Sequence, residues 1–265
     1  MMKNMMIKLL VLGVLAALLV VCVLVYSRGR DSGYFHRVSA VVAPVSEHLL
    51  GTGSVLRLPF EWRGGAALNW HWFQPRLVDV RQTAGSLLMV PNRESVWWKN
   101  KHGPMLYHDV DGDFSATVAL RVRKHSDPAQ PPDREWQFGG IILRDPRSAA
   151  WLGRENYVFN VVGHRGSRLQ VETKSTRLGR SQVDAWNWPD GDAELRIQRR
   201  GAHYEMAVRP AAQAPWQVLT DYVRPDLPDQ LQLGLIVYAY SEGRGIFDVE
   251  IHFDALSVVP LVDEE

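Results

Sequence analysis

The residues best suited to bind a ligand in this sequence are tryptophans that stand beside polar side chains. Trp97 and Trp98 are adjacent, so in an extended strand one should point into the core and the other outward. Trp186 and Trp188 flank Asn187 in a segment bordered by Pro, Asp and Gly, which predicts a loop that exposes them. A planar indole suits the apolar face of a sugar ring. The alternative stays open: these rings only fill the core and cover its edges.

The candidate metal ligands are Asp109, Asp111 and Asp113, which surround Gly112. Calcium prefers such carboxylate oxygens, but Leu120 stands where an EF-hand loop would place its closing glutamate. A plain Asp–Gly turn between two strands is the favoured interpretation, with calcium as the alternative. The histidines show no metal-site spacing, so we predict no other metal and no cofactor.

The sequence lacks the usual motifs of hydrolytic catalysis. Retaining glycoside hydrolysis needs two carboxylates about 5–5.5 Å apart. Asp248, Glu250 and Asp254 come nearest to that arrangement, and the wet face of a terminal strand explains them as well. No Gly-x-Ser-x-Gly elbow occurs, and Cys22, the single cysteine, lies in an apolar run. The sequence therefore favours a non-enzyme without deciding the question.

Alternation of apolar and polar residues predicts that strands position these side chains. Residues 114–123 and 247–254 alternate strictly, and a change of phase at residues 254–255 indicates a bulge. The other predicted strands are 87–90, 105–110, 137–143, 157–162, 169–173, 193–198, 204–208, 216–221 and 231–240. About a dozen strands with few helices indicate an antiparallel sandwich or barrel. The Pro-rich stretch 125–135 should be an exposed connection, and the dense apolar face of residues 246–259 predicts a central strand.

Several motifs in order resemble the DUF1349 family and its neighbours, which have a concanavalin A-like jelly-roll domain. They are residues 95–99 (SVWWK), 111–118 (DGDFSATV), 139–145 (GGIILRD), 194–201 (ELRIQRRG) and 253–258 (FDALSV). The resemblance covers roughly residues 60–260 and implies two curved antiparallel sheets, one of them with a concave face. It implies little about activity, because this fold carries glycan binders, glycosidases and domains of no known function.

The sheet order implied by that resemblance brings donors close to the tryptophans. The expected ligand-binding residues are Trp97, Trp98, Lys99, His102, Tyr107, Arg144, Trp186 and Trp188. Arg144 shares a strand face with Gly140 and Ile142, and its guanidinium could hold hydroxyls or a uronic carboxylate. The alternative is a structural pair of Arg144 with Asp145 or Glu155.

Residues 9–26 form an unbroken apolar run without charge, long enough for a helix to cross a bilayer. We predict an uncleaved transmembrane helix over residues 7–26, with a cleaved signal peptide and a lipid-modified Cys22 as alternatives. A short amino end inside is favoured, which makes this a single-pass membrane protein with its β domain outside the cytoplasm. The predicted organisation is a tail (1–6), the helix, a linker (27–54), the all-β sandwich (55–260) and an acidic tail (261–265).

Net charge is only +1 and basic residues are scattered, so no nucleic-acid partner is expected. The predicted partners are the lipid bilayer, through residues 7–26, and a glycan. We therefore predict a membrane-anchored, non-catalytic recognition domain that binds carbohydrate on a sandwich face. The alternatives are a protein-interaction or assembly subunit of a membrane complex and an atypical glycoside hydrolase.

Overall fold

The computed structural model describes residues 70–83, 86–149, 152–245 and 247–261. The predicted tail, transmembrane helix and linker (1–6, 7–26 and 27–54) lie outside these ranges, as does the acidic tail after residue 261. Within the described ranges, no helix has the length and apolar character needed to cross a membrane.

The described chain is all-β, with one short 3₁₀ turn at Pro75–Leu77. Its strands are β1 (His71–Phe73), β2 (Val78–Thr83), β3 (Ser86–Pro91), β4 (Met105–Val110), β5 (Phe114–Arg123), β6 (Gln137–Arg144), β7 (Tyr157–Arg165), β8 (Arg168–Arg177), β9 (Arg180–Asn187), β10 (Asp192–Arg200), β11 (His203–Arg209), β12 (Gln217–Val223), β13 (Leu231–Ala239) and β14 (Glu250–Pro260).

The strands form two seven-stranded sheets that pack as a jelly-roll sandwich. The first sheet has the order β1-β4-β13-β6-β7-β8-β9, and the second has the order β12-β11-β10-β5-β14-β3-β2. Every strand pair is antiparallel. The predicted sandwich is thus confirmed, and so is the central position of β14 between β5 and β3. The expected bulge also occurs, because the register of β14 against β5 shifts between Phe253 and Ala255.

The main core lies between the two sheets and follows from period-2 alternation. In β5 the buried positions alternate with partly exposed ones along the whole strand, so one face packs inward and the other meets water. Strand β6 is buried at every position, which means that both of its faces are covered. A second apolar cluster, containing Trp97, Tyr157, Phe159 and Tyr238, covers the outer face of the first sheet around β6.

Alternation did not predict β1, β2 or β9. Strand β9 contains no fully buried residue, so its sequence lacks a clear apolar face, and its pairing with β8 decides its structure. The predicted loop around Trp186 was therefore wrong: Trp186 and Asn187 end this strand, and Trp188 follows it. The Pro-rich stretch 125–135 does lie in the connection between β5 and β6, and most of it is exposed.

Candidate functional site

A strap of residues 92–104 crosses the outer face of the first sheet between β3 and β4. Its backbone is tied to distant strands: Ser95 N donates to Ala239 O at 2.8 Å, and Lys99 N donates to Ser181 Oγ at 2.9 Å. At the middle, Lys174 Nζ donates to Trp97 O at 2.5 Å. The strap therefore spans the face from the end of β13 to β9.

The two adjacent tryptophans of the strap have different environments. The Trp97 side chain is fully buried and lies 5.6 Å from the Tyr157 ring and 6.0 Å from the Phe73 ring, between centroids. Trp98 is partly exposed. The expectation that one tryptophan is buried and the other points outward is confirmed. The two residues lie in a strap that covers the sheet, however, and not in a strand of it. Trp97 itself occupies the middle of the face on which a ligand groove was expected.

Arg144 forms a buried ion pair on the same face. Its Nε and Nη2 atoms donate to the two carboxylate oxygens of Glu155 at 3.1 and 2.9 Å, and Nη1 donates to Gln232 at 2.9 Å. His102 of the strap contacts Glu155 at 3.0 Å, and the guanidinium lies 4.9 Å from the centre of the Phe73 ring. The structural pair with Glu155, given above as the alternative, is therefore the arrangement that forms.

The electrostatics of this pair follow from burial and hydrogen bonding. Burial disfavours the charged form of Glu155, but the hydrogen bonds and charges of His102 and Arg144 outweigh it and lower the pKa of the carboxyl below its ordinary value. Arg144 uses its donors within the fold, so binding of a ligand by Arg144 would require the pair with Glu155 to open.

The other predicted ligand-binding residues lie on opposite faces of the first sheet. Tyr107 lies on the outer face of β4, with its ring 5.5 Å from that of His71, and Lys99 is exposed near Trp98. Trp186 faces the inter-sheet core, because it pairs with the buried Val171. Trp188 packs against that same core, and its Nε1 donates to Asp192 O at 2.9 Å. Trp186 and Trp188 are thus on the opposite side of the first sheet from the strap.

The aspartates proposed for calcium lie where β4 ends and β5 begins. Together with Val258 and Pro260 they line a cavity of about 160 Å³. Asp113 accepts a hydrogen bond from Gly201 N at 2.7 Å, while Asp109 and Asp111 are exposed. Among the described residues, no three His, Cys, Asp or Glu side chains are arranged to hold a metal ion. Calcium binding at this turn stays a prediction.

The best-formed candidate site is a group of neighbouring aromatic and charged residues beside the strap, which we name the aromatic–basic rim. Its members are Trp98, Lys101, Trp136, Arg165, Glu172, Lys174 and Tyr240.

In half of the rim, aromatic rings are in contact with the charged groups of basic side chains. The Trp136 and Tyr240 rings meet edge to face, with centroids 6.5 Å apart. Lys101 Nζ lies 5.6 Å from the Tyr240 centroid, and Arg165 Cζ lies 4.7 Å from that of Trp136. Backbone hydrogen bonds of 2.9 and 3.2 Å join Lys101 to Trp98 across a tight turn. These three aromatic rings are all partly exposed.

The other half of the rim consists of charged side chains on the outer face of β7 and β8. Arg165 Nη1 lies 3.3 Å from Glu172 Oε1. Lys174, two residues further along β8, has its Nζ 5.0 Å from the Trp98 centroid and 4.4 Å from that of Phe159. Both Glu172 and Lys174 are buried. They therefore form the floor of the rim, and the rim is shallow.

Burial dominates the titration of the two buried charges. Desolvation lowers the pKa of Lys174 to about 7, against the opposing effect of the Glu172 charge. Desolvation also raises the pKa of Glu172, although Lys174 and Arg165 favour its charged form. The rim thus holds a lysine that changes charge near neutral pH.

Most of the rim was not predicted from the sequence. Glu172 and Lys174 alternate with Val171 and Thr173 as on any wet strand face, and nothing local indicates that the strap covers them. Trp136 and Tyr240 lie just outside the ends of β6 and β13, which are neighbours in the sheet. Only that pairing brings them together, so a sequence-based signal would have required the strand order.

Comparison with known proteins supports the fold. No protein-family model matches the sequence, and no curated protein matches it significantly, so the resemblance to DUF1349 stays a prediction. The structure is similar to a functionally unknown protein from Saccharomyces cerevisiae, with 15% identity, a TM-score of 0.57 and coverage of 73% of this chain and 97% of that one.

Two GH43 proteins are also similar in structure. The GH43 protein BlXynB from Bacillus licheniformis has 12% identity, a TM-score of 0.54 and coverage of 72% of this chain and 37% of its own. The Bacteroides ovatus Xyloglucan PUL GH43B has 13% identity, a TM-score of 0.52 and coverage of 74% and 37%. This chain therefore spans little more than a third of either GH43 protein. At such identities the similarity establishes a shared β-sandwich fold and not an activity.

Proposed function

We propose that this chain is a membrane-anchored, non-catalytic recognition domain that binds carbohydrate at the aromatic–basic rim. The observation that carries the proposal is the group of three partly exposed aromatic rings, Trp98, Trp136 and Tyr240, with the amine of Lys101 beside them. An aromatic face stacks on the apolar side of a sugar ring, while amine and guanidinium N–H groups donate to its hydroxyls.

The buried carboxylates favour recognition over hydrolysis. Glu155 is fully buried and engaged by Arg144 and His102, and Glu172 is buried beneath the rim. General acid–base catalysis requires a carboxyl within hydrogen-bond reach of the scissile bond. In this conformation neither side chain presents its carboxylate to a bound sugar.

The proposal is tested by calorimetric titration of the full chain in a zwitterionic detergent, which has no sugar headgroup. Xyloglucan oligosaccharides are a suitable first ligand, since one fold neighbour is named for that polysaccharide. Stacking on a few rings should give a Kd of about 0.1–1 mM, because few contacts offset the cost of association.

Substitutions locate the binding surface. Tyr240→Ala and Trp136→Ala should each weaken binding at least fivefold. The matched control is Trp216→Ala, since Trp216 is also partly exposed but lies against Arg196 and Arg209 of the second sheet. Equal losses in all three variants, or no binding of any neutral or acidic sugar by the wild type, would reject the rim and favour the protein-docking alternative.

The anchor belongs to the same proposal. Residues 7–26 should hold the domain at a membrane, with the sandwich outside the cytoplasm. Reporter fusions after Glu265 and the intact mass of the purified chain test this. A mature chain that starts near residue 28 would exclude an uncleaved anchor, and a cytoplasmic reporter signal would exclude the orientation.

A further inference from the structure

We infer that the aromatic–basic rim recognises acidic saccharides, such as those that contain uronic acids, and discriminates against neutral ones. The inference rests on the proposed function, because it names the sugar class bound at the same rim. It follows from how the charges of the rim are arranged and from which of them remain accessible.

The accessible charges of the rim are positive. Its accessible cations are Lys101 and Arg165, whereas Lys174 and the one carboxylate, Glu172, are buried. The nearby Glu94 carboxylate is engaged by the turn 241–245, where it accepts hydrogen bonds from backbone N–H groups, Gly243 N among them at 2.9 Å. A sugar over the aromatic pair therefore has two accessible cations beside it, Lys101 and Arg165.

Two of the cations stand on either side of the aromatic pair. Lys101 lies against Tyr240, and Arg165 lies against Trp136. A sugar ring stacked on this edge-to-face pair would have an ammonium on one side and a guanidinium on the other. A ring carboxylate could then reach one of them without leaving the stack.

Both cations keep donors for a ligand. Among the described contacts, Lys101 has no ion pair, and its side chain belongs to an exposed residue. Arg165 is 42% exposed at its side chain and uses one N–H group for Glu172. A guanidinium carries five N–H donors in a planar fork that fits a carboxylate. In contrast, the donors of Arg144 are already committed to Glu155 and Gln232.

Titrations of the full chain in zwitterionic detergent with oligogalacturonate, and with a neutral oligosaccharide of equal length, test the inference. The acidic sugar should bind at least tenfold more tightly, since hydrogen bonds to an ionised carboxylate are about twice as strong as neutral ones. Raising salt from about 0.05 to 0.5 M should weaken only the acidic sugar, because salt screens exposed charges.

Lys101→Gln and Arg165→Gln should each weaken binding of the acidic sugar more than that of the neutral one, so that the ratio of the two affinities falls toward one. Arg200→Gln is the matched control, because Arg200 is an exposed arginine of the second sheet. Melting temperatures identify variants that fail to fold. Equal affinity for the two sugars would overturn the acidic preference and leave the proposed function standing, whereas no binding of either sugar would overturn both.

Discussion

Arg144 and Glu155 form a buried ion pair on the outer face of the first sheet, and His102 contacts the carboxylate from the strap. Removing a charge from such a pair leaves the partner charge buried and uncompensated. The pair thus ties the strap to β6 and to the start of β7 through charge as well as through packing.

We expect Glu155→Gln to lower the free energy of unfolding by about 3–5 kcal/mol, because Arg144 would remain buried without a counter-charge. Urea denaturation of the two proteins measures the difference. The double variant Arg144→Met, Glu155→Met should be less destabilised than the single one, since it removes both charges. A single variant as stable as the wild type would show that the pair contributes little.

The same pair predicts a pH dependence. The pKa of Glu155 is lower in the fold than its ordinary value of 4.5. Its stabilising contribution is therefore fully present above about pH 4.5 and is lost as the pH falls through the lower, folded-state pKa. Glu155→Gln should reduce the loss of stability between pH 5 and pH 3, as measured by urea titrations at each pH. An unchanged acid slope would contradict this.

Lys174 predicts a second rise of stability with pH, in the alkaline range. Its pKa is about 7 in the fold, below its ordinary value of 10.5, so between those values the unfolded chain binds more protons than the folded one. Stability should therefore rise with pH over that window, by on the order of 5 kcal/mol. Lys174→Met should remove this rise while keeping an unbranched side chain that is only one atom shorter. The charged groups that face Lys174 are Glu172 and Arg165, so Arg165→Gln is the control for their contribution.

At the scale of elements, the strap is the feature that sequence patterns describe least well. Its run of β-branched and aromatic residues, Val96–Trp97–Trp98, is typical of a strand, yet among the described residues the segment forms only the isolated bridge of Trp98 with Lys101. Strand β9 was missed for the reverse reason, because it pairs fully with β8 but shows no apolar face. Hydrogen bonding to residues distant in the sequence determines the structure of both segments, and a short stretch of sequence does not reveal it.

The strap predicts unequal roles for its two tryptophans. Trp97→Ala should cost about 3–5 kcal/mol of stability, because truncation leaves a cavity among Phe73, His102 and Tyr157. Trp98→Ala should cost clearly less, since the ring is partly exposed, and should instead weaken sugar binding. Chemical denaturation and calorimetry measure the two effects. Equal losses of stability would contradict the assignment of Trp97 to the core and Trp98 to the rim.

At the scale of the whole molecule, the fold was largely predictable and the site was not. Strict alternation in β5 and β14 indicated a two-sided sheet, and the dense apolar face of β14 indicated its central position. Arg144 was expected to be a ligand anchor because it shares a strand face with Gly140 and Ile142, and its pair with Glu155 was only the alternative. The rim joins a strap, two strand ends and two adjacent strands, so its residues come together only when the sheet is assembled.

Truncation tests the architecture directly. Deletion of the residues after Gly245 removes β14, the strand between β5 and β3 in the second sheet, and exposes apolar edges on both sides. We expect the cooperative thermal transition to disappear. The deletion of residues 262–265 alone is the matched control and should melt like the full chain. A sharp transition after loss of β14 would contradict its central role.

Carbohydrate binding at the rim is tested most directly by fluorine NMR of the full chain labelled with 5-fluorotryptophan, with resonances assigned by single Trp→Phe variants. Saturating oligogalacturonate should shift the Trp98 and Trp136 resonances with one common Kd, while those of the buried Trp97 and of Trp216 on the second sheet stay in place. A spectrum that shifts with neither oligogalacturonate nor a neutral oligosaccharide, or shifts confined to tryptophans outside the rim, would contradict carbohydrate recognition at this site.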